Sequence, residues 1–102
     1  MADNDLIVLE DARDAVFALE KAYRKALLND DLDTMVEIEP HLSKAEDQLS
    51  GARLNLLAAG QLTTDADVAE MRRIRAEIDQ AADTQQLIAG AIKLATMVAK
   101  FI

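Results

Sequence analysis

Cysteine and tryptophan are absent from this chain, histidine and proline occur once each, glycine three times, and aromatic residues make up only 3%. Without cysteine there is no disulfide framework and no thiolate metal site. Three scattered glycines supply no glycine-rich loop to cradle a phosphate, and Ser43 and Ser50 lack the glycine elbow of a hydrolase nucleophile. Positive charge is scarce too: 19 acids stand against 11 bases, a formal net charge of −8. So acidic a chain, with no aromatic platform for bases, is a poor partner for nucleic acid. Long apolar runs are missing as well. The best approach, Leu87 to Ile102, is interrupted by Lys93 and Lys100, short of the about 18 unbroken apolar residues that a membrane span requires. The acidic start, Met1 to Asp5, has neither the basic residues nor the apolar run of a secretory signal. The expected compartment is therefore the cytoplasm.

What is present is a helical pattern. Apolar residues recur at spacings of three and four, and alternation by two is scarce, which predicts an all-α fold. With 102 residues the chain forms one domain, because two would be too small for separate cores. A first helix opens at Asp3 or Asn4, carries the stripe Leu9, Ala12, Val16, Leu19, Tyr23 and Ala26, and stops near Leu28, with Asn29 at the left-handed end position. A second runs from about Leu32 to Ala59 on Met35, Ile38, Leu42, Ala45, Leu49, Ala52, Leu56 and Ala59, and Gly60 ends it. Its stripe keeps phase across Pro40, so a kinked continuous helix is expected rather than a break. A third begins at Thr63 or Thr64, with Asp65, Asp67 and Glu70 where a helix N-terminus favours acids. It continues on Met71, Ile74, Ile78, Ala81, Gln85, Ile88, Ile92, Ala95, Ala99 and Ile102. Short connections make neighbours antiparallel. The reading is an up-down-up three-helix bundle with a long third helix. Its alternative is a break near Asp83, a cap with Gln86 three residues on, giving a fourth helix.

Lengths then point to a surface. A third helix of about 38 residues outruns its partners by roughly 15 Å. The overhanging segment, Thr84 to Ile102, contains no acid. Two apolar stripes run along it side by side, wider than one packing partner covers. The expected interaction residues are Leu87, Ile88, Ile92, Leu94, Val98, Phe101 and Ile102, and the expected function is a non-catalytic acidic helical module that self-associates through this helix, a dimer first. The alternatives are an immunity or antitoxin type of neutralising partner for a basic protein, and a subunit of a larger assembly or membrane surface.

The remaining polar groups point to no catalyst, cofactor or metal. His41 has Glu37 four residues before it, yet no Glu-x-x-His motif of a bundle metal site occurs. The acidic turn Asn29, Asp30, Asp31 and Asp33 lacks the glycine of a calcium loop. Arg72, Arg73 and Arg75 are spaced to pair with carboxylates: Arg73 with Glu77, Arg75 with Asp79. Tyr23 and Gln85 are the polar members of the seam and are placed to share one layer near His41. No motif diagnostic of a family stands in the chain.

Overall fold

The computed structural model, which describes residues 3–60 and 62–102, divides the chain into four helices: α1 (Asp3–Leu28), α2 (Leu32–Ala59), α3 (Asp65–Asp79) and α4 (Thr84–Ala99). The three-helix arrangement is thereby corrected, and the alternative break near Asp83 is the one adopted. The local reason is a cap. Asp83 accepts the Gln86 amide at 2.8 Å, and the Gln86 side chain accepts the Ala82 amide at 3.0 Å. The larger reason is burial. Folding back puts Leu87, Ala91, Leu94, Met97, Val98 and Phe101 into the core, whereas a straight continuation leaves about ten apolar residues in water.

Directions follow from bonds between helices. Asn4 reaches Asp65 and Asp11 reaches Arg75, so α1 and α3 run parallel. Lys93 with Glu77 and Lys100 with Glu70 make α3 and α4 an antiparallel hairpin. Asn55 donates to the Phe101 carbonyl at 2.7 Å, which sets α4 parallel to α2. Around the bundle the order is α1, α2, α4, α3, with α1 touching α4 across a diagonal. Within the α3–α4 hairpin the two helices approach closely: a Cβ at Gly90 would lie 2.7 Å from Ile78 Cγ1. The glycine's helix-propensity cost of about 1 kcal/mol is thus offset by a close crossing.

Helix α2 runs unbroken through Pro40. Proline lacks the amide that would bond the Val36 carbonyl, and Val36 is exposed, so the bond is lost on the solvent side of the helix. Thr64 caps α3 in a reciprocal box with Asp67. The neighbouring Thr63 serves differently. The connection from α2 to α3 crosses the bundle end and is pinned there by Asp5, which is fully buried. One Asp5 oxygen accepts the Leu62 amide (3.3 Å), the Thr63 amide (3.2 Å) and the Thr63 hydroxyl (2.5 Å). Replacing Asp5 with Ala leaves buried donors without an acceptor, at an expected cost of about 2–3 kcal/mol. Urea unfolding measures this, and hydrogen exchange at the Leu62 and Thr63 amides accelerates with it.

The Arg cluster is used in the same seam. Arg75 donates to Asp11 at 2.7 Å and lies 3.6 Å from Asp14 and 3.9 Å from Asp79. The hydrogen bond to Asp11 raises the Arg75 pKa above its ordinary value. Arg72 also approaches Asp11, at 3.6 Å. The expected pair Arg75–Asp79 is formed, and the expected partner of Arg73, Glu77, is drawn to Lys93 instead because α4 folds back over α3.

Candidate interaction surface

The fold divides the seven residues expected to form the contact face. Leu87, Leu94, Val98 and Phe101 are buried in the core, and Ile88 is half-buried. Ile92 and Ile102 stay exposed, but apart: Ile92 lines a groove with His41 and Lys44, and Ile102 lies against Gly51. The projecting C-terminal helix is thus corrected. The side-by-side stripes on α4 exist because α4 meets both α2 and α3, and one partner helix is not enough to cover them.

The overhang exists on the other hairpin. At 26 residues α1 outlasts the 15 of α3 by 11, a length of about 16 Å. The pairs that set α1 beside α3 are offset by 61 and 64 residues, so α3 ends at the level of Ala15 to Ala18. Beyond that level α1 and the start of α2 run on past α3, flanked as far as Ala26 and Thr34 by the α3–α4 turn and the first turn of α4, and the turn from Leu27 to Asp33 is exposed throughout. Four large aliphatic side chains are exposed there: Leu27 (52%), Leu28 (83%), Leu32 (67%) and Val36 (69%).

The turn that makes this end is tight and specified by its sequence. The Asp31 amide bonds Ala26 and the Asp30 amide bonds Leu27, a Schellman closure of α1. The left-handed residue is Asp30, with φ 55°, one position later than expected, because Asn29 still donates to Lys25 as a helical residue. Asp31 then caps α2. Its carboxylate accepts from the Thr34 hydroxyl at 2.6 Å and the Thr34 amide at 3.2 Å, and these bonds, the hydroxyl's first, hold its pKa below the ordinary carboxylate value. With two helices joined by so short a link, the end is a fixed hairpin rather than a loose loop.

Under the projecting end lies an open groove of about 410 Å³. Its α1 wall is Ala18, Ala22 and Ala26; Ile38, Ile78 and Leu87 contribute the larger apolar side chains. Lys21 and Lys25 line one side, and Asp79 and Asp83 stand at the α3–α4 turn. Both of those acids are engaged locally, Asp79 near Arg75 and Asp83 in the α4 cap. Small walls of this kind admit a close-packed helix. Elsewhere on the α1–α2 pair, partial burial and then the neighbouring Glu20 push the Glu46 carboxyl above its ordinary value.

The other polar candidates are dispersed. His41 is half-buried between α2 and α4, and no cluster of three or more metal-ligating side chains occurs among the described residues. Gln85 is exposed while Tyr23 packs half-buried against the core, so the layer expected of them is not formed. Among the described residues no helix is long and apolar enough to cross a membrane. The exposed leucines of the turn escaped sequence reasoning because they lie off the seam. Their signal was the crowding of Leu27, Leu28, Leu32 and Val36 around a polar turn. No protein family matches the chain, and neither a curated protein nor a solved structure matches it.

Proposed function

We propose that the chain is a small non-catalytic protein-interaction module that makes its contact through the projecting end of the α1–α2 hairpin. The carrying observation is the exposed α1–α2 turn: it displays four exposed aliphatic side chains close in sequence, near an alanine-walled groove. Clustered exposed apolar side chains of this kind mark docking sites. The groove's character supports binding over chemistry. Half of its lining residues are alanine or larger aliphatics, and the carboxylates Asp31, Asp79 and Asp83 are occupied by caps and an ion pair. Self-association by way of α4 is the weaker form of the same idea, since Leu94 and Val98 already face α4's own neighbours in the core.

A photoreactive side chain placed at Leu28 should crosslink to a protein in native lysate, while the same group at the exposed Arg73 should not. Leu28→Glu combined with Val36→Glu should abolish further adducts at neighbouring Leu32 and leave stability within about 0.5 kcal/mol, as substitutions at exposed sites do. Equal adducts at Leu28 and Arg73, or none, would count against the reading.

A further inference from the structure

We infer that the occupant of this end is a second copy of the chain, laid antiparallel so that the α1 cations of each copy meet the acidic turn of the other. The inference rests on the docking reading above and names its partner. Its argument is charge. Lys21, Arg24 and Lys25 cluster on the last turns of α1, and none has a carboxylate within ion-pair distance among the described residues. Asp30, Asp33 and Glu37 crowd the turn and the start of α2, and none has a cation within that distance. The same end thus carries unpaired charge of both signs, with Asp30 and Asp33 toward the tip, the cations one to two turns behind it on α1, and Glu37 level with them on α2.

A purely basic partner would meet the lysines, and a purely acidic one would meet the turn. A partner with both signs in reversed order satisfies each, and a two-fold contact supplies that order because the same patch faces itself. Geometry agrees. When the two ends overlap by about two helical turns, roughly 10 Å, the turn of each arrives at the last turns of α1 on the other. Those turns carry Lys21, Arg24 and Lys25. Asp30 and Asp33 of one copy then stand opposite Lys21 of the next. The alanine wall admits the incoming hairpin, and Leu28 and Val36 leave water. Asp79 and Asp83 also face this space, and their charge is balanced within their own copy by Arg75 and by the α4 N-terminus.

The test is a charge exchange followed by sedimentation equilibrium at low salt, with a thermal melt confirming that each variant is folded. The unaltered chain should sediment at twice its 11.2 kDa and move toward monomer as salt rises. Lys21→Glu with Lys25→Glu should sediment as a monomer, because like charges then meet. Asp33→Lys with Glu37→Lys should do the same. An equimolar mixture of the two variants should recover the dimer mass, which a merely structural role of these residues would not produce. A monomeric unaltered chain, a dimer indifferent to both double substitutions, or a mixture that stays monomeric overturns the inference. If the chain is monomeric yet Leu28 still crosslinks to a different protein, the second-copy assignment fails and the docking reading stands. If neither contact occurs, both fail.

Discussion

A chain ending at Asp83 does not fold. Such a truncation removes α4 and with it Leu87, Leu94, Met97, Val98 and Phe101, all buried. Burying a side chain of this size contributes roughly 1.5–3 kcal/mol, so the set stands for about 8–15 kcal/mol. That is the whole stability of an ordinary domain. The loss is compounded on α2, whose Ile38, Leu42 and Leu49 are buried in the shared core that α4 helps to close. Lys93 and Lys100 depart as well, leaving Glu77 and Glu70 unpaired, a minor effect for exposed pairs. Circular dichroism of the truncated chain should show weak helicity with no cooperative melt, and a sizing column should show an expanded particle. A truncated chain that melts cooperatively as a compact monomer would mean that α4 is an appendage.

Leu94→Ala is the sharper version of the same argument. Leu94 is fully buried, and such truncations cost about 2–5 kcal/mol, depending on how far the surroundings collapse. Helix-rich neighbours held by the close Gly90–Ile78 approach have little room to collapse, so the upper half of that range is expected from urea unfolding. Ile92→Ala, two residues away on the exposed side of the same helix, should cost well under half as much. The contrast separates core from surface on α4. Equal, small costs at both positions would restore α4 as an uncovered face.

Much of the fold was legible in residue order. The stripes of α1 and α2 name their buried residues, from Leu9 to Ala26 and from Ile38 to Leu56. Apolar periodicity reports burial directly when a helix has one covered face. The third segment misled because periodicity is silent about direction. Ala81, Gln85 and Ile88 keep phase with Ile78, yet the chain reverses between Gln80 and Asp83 and buries the adjacent stripe instead. The break was written in two features: the Asp83–Gln86 cap and the polar Gln85, now exposed. Reading one helix as long put the overhang on the wrong hairpin. Once the third segment is two short helices, α1 and α2 become the long pair, and the turn that joins them is left exposed. That surface depends on relative helix lengths in the folded state, which no single segment encodes. Asp5 is the other omission. A buried aspartate in a first turn reads as an ordinary N-terminal acid, and only the approach of Leu62 and Thr63 gives its oxygen three donors.

The central claim is that two copies of this molecule meet through the α1–α2 end. Intermolecular distances between spin labels test it most directly, and the absence of cysteine makes the labelling clean. A label at Leu28→Cys sits on the projecting turn; one at Leu57→Cys sits near the opposite end of a particle 43 Å long. Two copies overlapping by about 10 Å should hold the Leu28 labels roughly 15–25 Å apart and the Leu57 labels about 65 Å apart. A short distance at Leu57 with none at Leu28, or no dipolar coupling at either site, would contradict the account.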